Sequence, residues 1–242
     1  MLESVGRPRE VLVQFVRTGV YEDAGLARRA WEGLASDERS ALLRIRAPEA
    51  RRDSLAAHAL ARAMLARIAA CPPSQIRFHV APGGRPEVTA PPSARRLRFS
   101  LSHADGIALC AVASGVSVGA DVESRRNVGP DPLGVAATLC SPREREALET
   151  LPPAQQAERF LALWTMKEAI AKAAGHGLGV PLYDVRVDDG SPWQVVYLRL
   201  TPDHLAAVAI DSDGDDLAIR CEEERPAFPA PVRPWVPSHA AG

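Results

Sequence analysis

Apolar and polar residues alternate through EVLVQFV near the start of the chain, the period of a half-buried strand. The same alternation, or a short apolar run bounded by turn residues, predicts strands over 11–16, 76–81, 97–101, 107–113, 116–123, 185–187, 194–200, 206–210 and 217–221. A period near 3.6 predicts helices over 24–34, 37–46, 50–70, 142–150 and 155–174. Cys71-Pro72-Pro73 ends the first of the two long helices and Gly175 the second. Pro82-Gly83-Gly84 and Pro91-Pro92 are predicted loops. Strands and helices mix without regular βαβ alternation, which predicts an α+β fold. Residues 1–115 and 116–222 each carry one long helix and several strands, yet no residue-level repeat joins the two stretches. Residues 223–242 form a tail with five prolines between 226 and 237, predicted to be extended.

At 242 residues and 46% hydrophobic the chain can bury a substantial core, as one domain or two. A net charge of −1 supplies no general field for nucleic acid or a membrane surface, so any anion site must be local. The opening MLESVGRPREVLVQFVRTG lacks a signal-peptide core, and no run approaches the roughly 18 apolar residues of a membrane span. The four cysteines are widely separated with no CxxC or Cys/His metal spacing, which fits reduced, buried thiols in a cytoplasmic protein. Of 29 basic residues only Lys167 and Lys172 are lysines, and both stand in WTMKEAIAK. The remaining bias toward Arg and Ala resembles GC-rich coding, so these two lysines stand out.

Three stretches carry candidate chemistry. In SVGADVE (117–123) a strand period puts Asp121 and Glu123 on one face, with Val118, Ala120 and Val122 on the other. Gly119 shares the carboxylate face and leaves room for something close to the backbone. Adjacent carboxylates repel unless a cation lies between them, and oxygen-only donors suit a hard ion such as magnesium. The plainer alternative is a solvated strand end neutralised by Arg125 and Arg126. In the helix 155–174, Trp164, Glu168 and Lys172 fall at i, i+4 and i+8 on one face. An ordinary Glu–Lys surface pair is the plainer reading there. The glycine-rich GHGLG follows it. In FSLSH (99–103) a strand ends on Ser102 and His103; a Ser/His hydrolase would need an elbow motif that frames neither Ser100 nor Ser102.

Taken in order, FSLSH, GADVE (119–123) and WTMKEAIAKAAGHG (164–177) resemble the motifs of the 4′-phosphopantetheinyl transferases of the surfactin-synthetase type. The resemblance runs from about Ser36 to Asp188, and the chain length matches the single-chain, pseudo-dimeric branch. It implies two similar α+β halves about a pseudo-two-fold axis, the first (1–115) contacting adenine and phosphates and the second (116–222) holding the metal site. The active site would lie in the cleft between them.

The implied reaction is of the holo-[acyl-carrier-protein] synthase type: the phosphopantetheine arm of coenzyme A moves to a serine of an apo acyl or peptidyl carrier protein, and 3′,5′-ADP leaves. The implied magnesium ligands (manganese being the alternative ion) are Asp121, Glu123 and Glu168, with Glu168 also the base. By the same resemblance Lys172 matches the lysine that contacts the pyrophosphate and can protonate the departing phosphate, and Ser102 and His103 match the pair that holds the phosphates. Arg85 and Pro86, in the G-[KR]-P segment, lie near the adenine. Arg52, or Arg51 under a one-residue shift, contacts the 3′-phosphate, and Arg39 is a candidate for a second such contact. Glu144 matches the family's acidic residue after F-[ST]-x-x-E. Leu139-Cys140 departs from the family's aromatic pair in a region associated with carrier docking. A monomer is expected. The rivals are another magnesium-dependent diphosphate-cleaving enzyme and a non-catalytic module that binds coenzyme A or a carrier.

Overall fold

The computed structural model describes residues 9–81, 84–175, 181–185, 192–211 and 217–224. Pro82-Gly83, His176–Gly179 of the glycine-rich stretch, residues 186–187 of one predicted strand and the proline-rich tail lie outside the described residues. The fold is mixed α+β, as the irregular order of strand and helix periods predicts.

The first sheet is built from β1 (Arg9–Arg17), β4 (Leu97–Ala104), β5 (Ile107–Ser114) and β9 (Leu217–Glu223), in the order β4-β5-β1-β9. β1 and β4 both pair antiparallel with β5, and β9 runs parallel to β1. The second sheet contains β6 (Val118–Ser124), β7 (Trp193–Thr201) and β8 (His204–Asp211), all antiparallel, in the order β6-β8-β7. A small hairpin, β2 (Arg77–Val80) with β3 (Pro86–Ala90), stands apart. β3 has no apolar alternation of its own, which is why its sequence reads as loop. The strand at 217–223 lies in the second stretch of sequence but hydrogen-bonds into the first sheet.

Alternation in the strands sorts the core into layers. Val11, Val13, Leu109 and Ala111 of the first sheet pack face to face with Val118, Ala120, Val122, Ala206 and Val208 of the second. The opposite face of the first sheet, with Leu12, Phe99, Cys110 and Val112, is covered by α1 (Ala24–Gly33), α2 (Ser36–Leu43) and chiefly α3 (Pro48–Ile68). The outer face of the second sheet is small (Ala207, Ala209) and receives α7 (Pro153–Ala173) through Ala169, Ile170 and Ala173. The result is helix, sheet, sheet, helix.

Between β6 and α7 the chain forms three short helices: α4 (Arg125–Val128), α5 (Pro132–Leu139) and α6 (Pro142–Glu149). Ser141 and Glu144 cap α6 reciprocally, with the Ser141 amide donating to Glu144 Oε2 at 2.7 Å. α4 and α5 escape sequence reading because PLGVAATL is apolar nearly all round and four residues carry no period. No helix among the described residues is long and apolar enough to cross a membrane.

Candidate active site

β4 is one edge of the first sheet and β6 one edge of the second, and these edges meet. Gly119 decides how closely α7 approaches β6. A Cβ placed there would lie 1.9 Å from the Ala169 carbonyl oxygen and 2.4 Å from the Ala173 amide nitrogen. The space that the sequence leaves beside Asp121 is thus filled by the backbone of α7, which brings Glu168 and Lys172 down onto the carboxylate face.

Lys172 Nζ lies 2.7 Å from Asp121 Oδ1, and donates to Ser102 Oγ at 3.1 Å and the Ala120 carbonyl at 3.3 Å. The Ser102 hydroxyl donates to the same Asp121 oxygen at 2.7 Å. Motifs separated by up to 70 residues therefore converge on one point. Asp121 is 3% exposed and its Oδ2 has no partner among the described residues. A buried carboxylate oxygen left unpaired is costly unless something outside the chain completes it.

The neighbouring carboxyls register this crowding. Burial and the Asp121 charge push Glu123 up to about 7; Glu168 adds to the rise, while Lys172 and a hydrogen bond from Asn127 Nδ2 (3.0 Å) oppose it. Glu168 is raised by burial and by Asp121, with Lys172 again opposing. The set lacks positive charge. Among the described residues no three His, Cys, Asp or Glu side chains gather closely enough to hold a metal by themselves. The fit to a divalent ion rests instead on the orphaned Asp121 oxygen and on an all-oxygen donor set. Magnesium suits such a set because it takes a few carboxylates and keeps waters or substrate phosphates in its other positions.

Two cavities adjoin this point. One, of about 420 Å³, is lined by His58, Gly84, Arg85, Pro86, Phe99, Ser100, Leu101, Glu168 and Lys172. Arg85 donates from Nη1 to the Ala173 carbonyl at 3.1 Å, across to the end of α7, and its buried Nη2 has no partner among the described residues. The other cavity, of about 430 Å³, is lined on the first-sheet side by Arg52, Asp53, His103 and Gly106, and on the far side by Arg126. Burial lowers the His103 imidazole, which Asp53 and Asp121 oppose and Lys172 and His58 reinforce.

The sequence-predicted residues thus fall around one junction. Arg52 faces the second cavity and pairs with Glu22 at 2.7 Å, whereas Arg51 turns away to donate to the Ile45 carbonyl at 2.7 and 2.9 Å. Arg39 lines neither cavity. Lys167 and Glu144 lie elsewhere and pair with each other at 2.8 Å, with Lys167 fully buried.

Three residues at the junction escape sequence reasoning. Asp53 is buried and accepts from the Thr18 hydroxyl and, at 2.9 Å, from the Gly106 amide, pinning the turn after His103 to α3. Arg126 and His58 complete the cavity walls. A signal existed for His58, a lone polar residue within LAAHALA.

Residues 117–221 match the family model described as the 4′-phosphopantetheinyl transferase superfamily. The chain is 32% identical over 192 residues to 4′-phosphopantetheinyl transferase HetI of Nostoc sp. (strain PCC 7120), covering 75% of this chain and 80% of that protein. It is 33% identical over 179 residues to a 4′-phosphopantetheinyl transferase of Bacillus subtilis, covering 71% and 77%. To the transferase Sfp of Bacillus subtilis (strain 168) it is 28% identical over 207 residues, covering 78% and 89%. At this identity and coverage, the chain belongs to the 4′-phosphopantetheinyl transferase superfamily.

Proposed function

We propose that this protein transfers the 4′-phosphopantetheine arm of coenzyme A to a serine of an apo acyl or peptidyl carrier protein, releasing 3′,5′-ADP in a magnesium-dependent reaction. The observation that carries this is the contact of Lys172 with both Asp121 and Ser102, which joins the three motifs at one buried junction. In the transfer, the carrier serine oxygen forms a bond to the phosphorus bearing the pantetheine arm, and the bond from that phosphorus to the bridging diphosphate oxygen breaks. Glu168 accepts the serine proton; burial and Asp121 raise its carboxyl, which makes the carboxylate a stronger base. Lys172 faces the departing phosphate with a compact ammonium that neutralises its growing charge and can yield a proton to it. Asp121, Glu123 and Glu168 would hold a divalent ion only together with waters or the substrate's own oxygens, and such an ion would supply further positive charge to the diphosphate. Arg52, His103, Ser102 and Arg85 orient the phosphates, with Pro86 beside the adenine.

We also assign the architecture to two halves, 1–115 and 116–222, related by a pseudo-two-fold axis with this site between them. The support is topological. Each half runs strand, 21-residue helix, hairpin (β1-α3-β4-β5 and β6-α7-β7-β8), and in each the second hairpin strand pairs antiparallel with both other strands. β9 then crosses back to β1. With both halves in one chain, the active unit is a monomer, working in the cytoplasm where coenzyme A and carriers meet. The test is product analysis: 3′,5′-ADP should accumulate only with coenzyme A, apo carrier and a divalent ion together. Its release without a carrier, or undiminished in excess EDTA, would refute the assignment.

A further inference from the structure

We propose that His58 is a further ligand-binding residue of this site, donating from Nε2 to a phosphate of coenzyme A while Glu38 positions the ring from behind. This rests on the coenzyme A reading above and adds a residue that none of the three motifs contains.

α3 is almost wholly apolar from Leu55 to Ala66, and its polar exceptions there, His58 and Arg62, stand one turn apart on a single face. Both converge on Glu38 of α2. His58 Nδ1 lies 3.0 Å from Glu38 Oε1, and Arg62 donates to Oε2 from Nε at 2.9 Å and from Nη2 at 2.5 Å. The Ala35 amide donates to Oε2 at 2.8 Å. Arg62 is itself fixed, through Nη1 to the carbonyls of Pro73 and Ile76 and by stacking over Phe78. Burial alone would raise the Glu38 carboxyl, but the bonds from His58, Arg62 and Ala35 draw it down to about 2. Glu38 is therefore an ionised carboxylate held in one orientation.

A carboxylate in that position accepts the Nδ1 proton and leaves Nε2 as the free end of the ring. Nε2 has no hydrogen-bond partner among the described residues. A histidine serving only to satisfy Glu38 could be sealed into the core, yet the His58 side chain is 26% exposed and lines the cavity with Arg85, Ser100 and Lys172. The charges around it are Glu38 and Arg62 behind and Arg85, Lys172 and Glu168 on the cavity side, with His103 near enough to feel the ring's charge. Arg85 and Lys172 make this wall attractive to an anion. A phosphate accepting from Nε2 while Glu38 accepts from Nδ1 places the ring between two anions, and the bond is a charge-assisted one.

The test measures coenzyme A binding by calorimetry, with magnesium and without carrier, for wild type, His58→Ala, His58→Gln and Arg85→Ala. His58→Ala should weaken binding about tenfold, the scale of one charged hydrogen bond. His58→Gln, which keeps a donor of similar reach, should recover part of the loss. KM for coenzyme A should rise in parallel with Kd, and kcat should fall less. Thermal melts establish that each variant is folded; if His58→Ala is not, weakened binding by His58→Gln decides in favour. Wild-type affinity in both His58 variants alongside weakened binding in Arg85→Ala would overturn the proposal and leave His58 a structural partner of Glu38. Failure of the wild type to bind coenzyme A would instead overturn the reading on which the proposal stands.

Discussion

Lys172 of α7 and Asp121 of β6 are joined at 2.7 Å, and Ser102 bonds to both from β4 of the other sheet. The Lys172 side chain is 28% exposed, so its ammonium is held but remains open to the cavity. Arginine's broad, planar and permanently protonated head does not fit that role. Lys172→Arg should keep the fold and much of the coenzyme A affinity while lowering turnover by about 10²-fold or more, the scale of lost general-acid help. Steady-state transfer to a carrier, with melts as a control, checks this. Wild-type turnover would mean that charge alone suffices at 172.

The second lysine answers to a different demand. Lys167 is fully buried, 2.8 Å from Glu144, and donates to the carbonyls of Leu182 and Val185 at 2.9 and 3.2 Å. It ties α7 to the start of α6 and to residues 182–185. Lys167→Ala strands a largely buried carboxylate and should cost about 3–5 kcal/mol. Lys167→Arg adds volume to a full site and should cost about 1–3 kcal/mol, with turnover per folded molecule near wild type. Urea unfolding separates the two variants; an unchanged midpoint in Lys167→Ala would contradict the assignment.

Gly119→Ala places a methyl inside the backbone of α7 and should both destabilise the protein and disturb the Lys172–Asp121 contact. Gly33→Ala is the control, since nothing lies within 4 Å of its Cβ position. A stable, fully active Gly119→Ala protein would show that α7 can slide without consequence.

The pH dependence of stability follows from Glu123. Its folded carboxyl is raised to about 7, so between about 4.5 and 7 the folded state binds more protons than the unfolded one. In EDTA, stability should accordingly fall as pH rises through that window and level off above it. Glu123→Gln should flatten the slope. Denaturant unfolding from pH 4.5 to 8 reads it directly, and a wild-type slope in Glu123→Gln would remove Glu123 as the cause. Added magnesium should restore stability most at the alkaline end, where the carboxylates are ionised.

Much of this arrangement was legible in the sequence because local periodicity carried it. The strand period placed Asp121 and Glu123 on one face, and the helix period stacked Glu168 and Lys172. What escaped reading depends on contacts distant in sequence. Only the packed structure shows that Gly119 makes room for a helix, that Lys167 faces Glu144, or that Glu38 stands behind His58. β3 and α5 were missed for a local reason, since neither has a period that distinguishes an inward from an outward face.

The proposed reaction modifies a protein, so weighing that protein tests it. Purified enzyme, coenzyme A and magnesium are incubated with a panel of apo acyl and peptidyl carriers, and each carrier is analysed by mass spectrometry with its modified residue mapped. At least one carrier should gain a single phosphopantetheine arm on serine, and Asp121→Ala or excess EDTA should abolish the gain. Carriers left unmodified by a folded enzyme that nonetheless cleaves coenzyme A or a nucleotide diphosphate would contradict the proposed reaction.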